Sequence, residues 1–104
     1  MEIQFNTDKN INGNEELTAS LNALAAKELN RFSEQITRLE IHLSDEDSSK
    51  DGINDKRCLI EARLEGLKPI AVTNQANSDE NAVKGAIDKL KSSLETTLGR
   101  QHNY

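Results

Sequence analysis

Between Ser78 and Arg100, apolar residues recur at three- and four-residue intervals: Val83, Ala86, Ile87, Leu90, Leu94 and Leu98. At about 100° per residue these positions form one stripe, which predicts an amphipathic helix whose apolar side must cover something. Ser78 is a suitable N-cap, Asp79 and Glu80 suit the positive end of the helix dipole, and Gly99 is placed to take the left-handed turn past the C-terminus. A second helix is predicted after the polar connector from Thr7 to Gly13. Asn14 can cap it, Glu15 and Glu16 suit its first turn, and Leu17, Leu21, Leu24, Ala25 and Phe32 share one face, carrying it to about Asn30 to Phe32. Glu28 projects close to that face and is expected at the rim, where the helix leaves the core.

Elsewhere a two-residue period replaces the helical one. Glu2 to Asn6 alternates around Ile3 and Phe5; Ile36 to Leu43 sets Leu39, Ile41 and Leu43 against Arg38, Glu40 and His42. A third run points Cys58, Ile60, Ala62 and Leu64 inward and Arg57, Leu59, Glu61, Arg63 and Glu65 outward. Gly66 marks a tight connection into a last strand, Ile70 to Thr73, and Pro69 suits a strand start or an edge. The predicted class is α+β in the order β-α-β-β-β-α: a four-stranded, antiparallel-rich sheet with both helices on one face and a charged face left open.

With 104 residues there is room for one core, so residues 1–104 are read as a single domain. Aromatic residues are only 3% of the chain, which builds the core from Leu, Ile, Val and Ala and argues against aromatic platforms for single-stranded bases. A lone Cys58, no apolar N-terminal run like a signal peptide and no apolar segment near membrane-spanning length lead to the expectation of a reducing cytoplasm and no membrane partner.

The net charge of −5 is unevenly spread: between Ser44 and Asp55 stand Asp45, Glu46, Asp47, Asp51 and Asp55 against Lys50 alone. Counted from Asp47, this stretch partly matches an EF-hand calcium loop through Ser49, Asp51, Gly52 and Asp55. The match then fails, because Asn54 and Cys58 stand where an apolar residue and a bidentate Glu belong. The expectation is a solvated hairpin loop with no metal, and no cluster implies a cofactor or a small-molecule substrate. Catalysis is equally unsupported: His42 and His102 lack a triad partner, and Cys58 falls on an inward strand position where a thiol behaves as a small hydrophobe. The chain is not read as an enzyme.

What remains is the cluster of cations on the last helix, Lys84, Lys89 and Lys91, with Arg100 expected just beyond its end. The spacing allows Lys84 with Asp88 and Lys91 with Glu95 to form surface pairs four residues apart. The segment AVKGAIDKLKSSL, with its apolar pair Ala82-Val83, then Lys89-Leu90 and Leu94, resembles the final helix of the ribosome hibernation promoting factor family, also called ribosome-associated inhibitor A or sigma-54 modulation proteins. The predicted element order resembles that family over nearly the full length. The resemblance implies a fold like a double-stranded-RNA-binding domain that contacts ribosomal RNA of the small subunit, inhibits or modulates translation and promotes ribosome hibernation under stress. Lys89 and Lys91 match the family pattern. Lys84 and Arg100 are assigned from position, and Arg57 and Arg63 on the open sheet face are expected as a second RNA contact. The chain differs from the family where Glu80 replaces a frequent tyrosine, where Lys84 stands for a frequent acid and where Ser92 stands for a frequent base. It is also expected to lack the lysine-rich tail and the dimerising extension of other members. The alternative reading is a protein-interaction or weak homodimer module that uses the mixed-charge open face.

Overall fold

A computed structural model of the chain describes residues 1–7, 15–45 and 56–102, with side chains as far as Gly99. The elements run β1 (Glu2–Thr7), α1 (Glu15–Glu28), a 3₁₀ turn (Asn30–Phe32), β2 (Ile36–Asp45), β3 (Lys56–Leu64), β4 (Ile70–Ala76) and α2 (Asp79–His102). The predicted order is therefore observed. The strands lie side by side as β1-β2-β3-β4, with β2-β3-β4 an antiparallel meander and β1 parallel to β2. Parallel neighbours need a crossover, and α1 supplies it.

Each strand offers one apolar face to the helices. Leu39, Ile41 and Leu43 of β2 and Cys58, Ile60, Ala62 and Leu64 of β3 are buried beneath Leu21, Ala25 and Leu29 of the α1 region and Ala82, Val83, Ala86, Ile87, Leu90 and Leu94 of α2. Among the described residues no polar or charged residue is buried, so this core is held by apolar burial and packing. Ile36 is buried too, although it stands three residues from Leu39 and strict alternation would turn it outward. The pairing explains this. Ile36 faces Leu64 while Arg38 faces Arg63, so Thr37 is an extra residue that returns Ile36 to the core side. Its hydroxyl donates to the carbonyl of Arg63 at 3.1 Å, which ties the bulge to β3.

Ser78 caps α2 as expected: the Asn81 N–H donates to Ser78 Oγ at 3.1 Å, and the Ala82 N–H to the Ser78 carbonyl at 3.0 Å. The other end differs from expectation. Gly99 does not terminate the helix, which continues to His102, so Arg100 belongs to α2 rather than following it. Glycine inside a helix costs only about 1 kcal/mol against alanine, too little to end a helix by itself. The α1 helix also ends earlier than predicted, at Glu28, and the chain reaches Phe32 through a separate 3₁₀ turn. Strand β4 is longer than the predicted Ile70 to Thr73. Gly66, with φ +75°, makes the tight turn before it.

The first two turns of α2 are locked to the edge of the sheet. Asn74 lies on the helix-facing side of β4, and its Nδ2 donates to the carbonyls of Asn81 at 3.4 Å and Ala82 at 3.3 Å. Gly85 makes room for it: a Cβ there would come within 2.1 Å of Asn74 Nδ2. The acidic stretch weighed for calcium, from Glu46 to Asp55, and the predicted cap Asn14 lie outside the described residues.

Candidate nucleic-acid interface

The six cations singled out by sequence fall on two opposite surfaces. Lys84, Lys89, Lys91 and Arg100 belong to α2; Arg57 and Arg63 project from β3 on the sheet face away from the helices. On α2 the cations divide further. Lys84 and Lys91 are seven residues apart, about 10 Å along the axis, on the flank toward α1. Lys89 leaves the opposite flank, where its Nζ donates to the Thr73 carbonyl of edge strand β4 at 2.9 Å. The Arg100 side chain lies outside the described residues.

The expected helix-surface pairs are not those that form. Lys84 Nζ meets Glu80 Oε1 at 2.8 Å, one turn back rather than forward to Asp88. This places the acid N-terminal to the base, the orientation favoured by the helix dipole. The hydrogen bond from Lys84, and then its charge, holds the Glu80 carboxyl below its ordinary range, and the same bond raises the Lys84 ammonium. Lys91 reaches across to Glu28 Oε1 at 3.0 Å instead of pairing with Glu95, and Glu95 takes Arg31 of the 3₁₀ turn at 2.5 Å. The Lys91 hydrogen bond, followed by its charge, lowers the Glu28 carboxyl. This explains an acid so near the apolar face of α1: Glu28 sits at the rim because a lysine of α2 meets it there. Between the helices a cleft of about 190 Å³ is lined by Leu24, Glu28, Lys84, Ile87 and Asp88.

The open sheet face holds a second cluster. Arg57 and Arg63, six residues apart on an extended strand, are separated by about 20 Å and do not form one site. Arg63 instead stands directly across from Arg38 of β2. The two guanidiniums are held together by Glu40, whose Oε2 lies 3.5 Å from Arg38 Nε and 3.7 Å from Arg63 Nε. His42 Nε2 is 3.6 Å from the other oxygen of the same carboxylate. Arg63 also donates to Glu61 at 3.2 Å, and Arg38 donates to Gln4. Arg38 and His42 were visible in the sequence as outward positions of β2, but their meeting with Arg63 depends on a strand register that alternation does not specify.

Cys58 is fully buried, and loss of water around it pushes its thiol up to about 12, which removes the thiolate needed for nucleophilic chemistry. No group of three or more potential metal-ligating side chains stands together among the described residues. No helix among them is long and apolar enough to cross a membrane.

Two solved structures share this architecture. The crystal structure of the Thermus thermophilus Protein Y N-terminal domain superposes with a TM-score of 0.73 at 18% identity, covering 93% of this chain and 99% of that one. A ribosomal subunit interface protein from Coxiella burnetii superposes with a TM-score of 0.70 at 19% identity, covering 95% of this chain and 99% of that one. No curated protein sequence matches the chain. Residues 9–102 match the family model described as sigma 54 modulation protein / S30EA ribosomal protein, so the chain belongs to that family, the one its final helix and element order resemble.

Proposed function

We propose that residues 1–104 act as one ribosome-associated domain that binds the small subunit through ribosomal RNA, modulates or inhibits translation and promotes hibernation of idle ribosomes. The observation that carries this reading is the family match over residues 9–102, nearly the whole chain. The shared fold with a protein described as a ribosomal subunit interface protein supports it further. In this mechanism Lys84, Lys89, Lys91 and Arg100 of α2 approach RNA phosphates, and Arg57 and Arg63 add contacts from the sheet.

The internal pairing of Lys84 and Lys91 is compatible with that role. The exposed Lys84–Glu80 pair and the half-buried Lys91–Glu28 pair both lie at the surface, where ion pairs contribute little, so a phosphate can displace or share with the carboxylate. Such contacts read shape and charge rather than sequence, and they weaken steeply with ionic strength because binding releases counterions from the RNA.

Co-sedimentation of the purified protein with separated subunits across a salt series tests the reading. The expected result is salt-sensitive association with the small subunit that Lys89→Gln/Lys91→Gln weakens while its melting curve stays cooperative. Absence of association even at low salt overturns it.

A further inference from the structure

On the open sheet face, two guanidiniums and an imidazole converge on one carboxylate. Arg38 and Arg63 occupy directly opposed positions of β2 and β3, where like charges destabilise a strand pair unless something lies between them. Glu40 does so, with one carboxylate oxygen toward both arginines and the other toward His42. Its side chain is only 18% exposed, whereas those of Arg38, His42 and Arg63 are 40%, 44% and 54% exposed. The carboxylate therefore lies below a rim of two solvent-facing guanidiniums and an imidazole. A phosphodiester presents the same pattern of two anionic oxygens. Hydrogen bonds take up Arg63 Nε, to Glu61, and one terminal nitrogen of Arg38, to Gln4, while Arg38 Nε is buried without a hydrogen-bond partner; the remaining terminal N–H groups of both guanidiniums are left for an anion arriving from solvent.

We infer that Arg38 and Arg63, with His42 beside them, form a seat for an RNA backbone phosphodiester, and that Glu40 occupies this seat as an internal stand-in when RNA is absent. The identity of the ligand as RNA rests on the ribosomal reading above. Arg38 thereby joins Arg63 in the sheet contact, and a carboxylate becomes the competitor that limits it. Glu61, opposite Glu40 and bonded to Arg63, and Glu2, opposite Arg38 on β1, add a second and a third negative charge, so phosphate enters at the arginines' outer edges rather than along the strands.

The test compares wild type, Arg38→Gln/Arg63→Gln, Glu40→Gln and the control Lys27→Gln for co-sedimentation with small subunits in a salt series. Thermal melts confirm that each is folded. The inference expects the arginine double variant to lose about tenfold or more in affinity. Its plot of log affinity against log salt should also become shallower by about 0.7 to 0.9, as the contact to one phosphate is lost. Glu40→Gln should bind more tightly, by up to about fivefold, because at 3.5 to 3.7 Å the ion pairs of Glu40 with the arginines are long and compete only weakly. The control should match wild type.

If wild type binds and the arginine variant binds equally well, the seat is wrong and the ribosomal reading stands. Weaker binding by Glu40→Gln overturns the stand-in role. If wild type does not sediment with subunits, the ribosomal reading falls, and fluorescence anisotropy with a short RNA duplex decides the seat by the same variants: arginine-dependent binding upholds it, no binding removes it. Displacement of RNA by millimolar inorganic phosphate at constant ionic strength would reassign the seat to free anions.

Discussion

Replacing Gly85 with alanine should destabilise the protein, although the same change in an ordinary helix interior stabilises by about 1 kcal/mol. The added Cβ would stand 2.1 Å from Nδ2, 2.6 Å from Cγ and 3.0 Å from Oδ1 of Asn74, so the side chain must leave its place. Leaving breaks both of its hydrogen bonds to α2. At 3.3 and 3.4 Å these are long and belong at the weak end of the usual range, about 0.5 kcal/mol each. The carbonyls of Asn81 and Ala82 still accept helical N–H groups, so no buried acceptor is orphaned. Forcing a half-buried side chain out of its rotamer adds about 0.5 to 1.5 kcal/mol. Losses of about 1.5 to 2.5 kcal/mol against a gain of about 1 leave Gly85→Ala less stable by about 1 kcal/mol, or about 4 °C in Tm for a domain of this size.

A double-mutant cycle with Asn74→Ala isolates the contact between the two positions. In the Asn74→Ala background the obstruction is gone, and Gly85→Ala should recover its helical benefit and stabilise by about 1 kcal/mol. Urea unfolding of the four proteins measures the coupling. A single Gly85→Ala variant more stable than wild type, or equal effects of Gly85→Ala in both backgrounds, would refute the lock between β4 and α2.

Three further outcomes are expected. Leu90→Ala removes a fully buried side chain from the centre of the α2 stripe and should cost about 2 to 5 kcal/mol in urea unfolding, a large part of the stability of a small domain. Glu28 titrates below its ordinary value in the folded state, so its contribution is present above the unfolded carboxylate range and lost as pH falls through the folded value. Between pH 7 and 3 the Tm of wild type should therefore fall more steeply than that of Glu28→Gln, and parallel curves would deny the Lys91 pair any role. Cys58 should resist a thiol reagent in the native protein and react at once in denaturant; fast native labelling would contradict its burial.

How far the sequence could be read depended on whether the deciding interaction was local. Helix and strand identity followed from period alone, because Val83, Ala86, Ile87, Leu90 and Leu94 differ from Leu39, Ile41 and Leu43 in nothing but spacing, and burial follows spacing in each case. Ser78 was legible as a cap because its partners are three and four residues away. Gly99 misled because glycine's preference for a helix end is weak, and nothing in its local sequence says whether the helix continues.

The site was less legible because its partners are distant in sequence. Lys91 could be matched with Glu95 by the four-residue rule, yet Glu28, 63 positions away, holds it, since the helices bring those side chains together at the rim of the core. The same holds for Arg63, which alternation placed with Arg57 on the open sheet face without saying what stands across from it; Thr37 shifts the pairing of β2 with β3, and the register then sets Arg38 opposite Arg63. A single bulged residue thus does two things at once. It turns Ile36 into the core, and it fixes which guanidiniums flank Glu40. Removing Thr37 should consequently move Ile36 outward or slide the strand, so the core and the arginine pair would be lost together rather than separately.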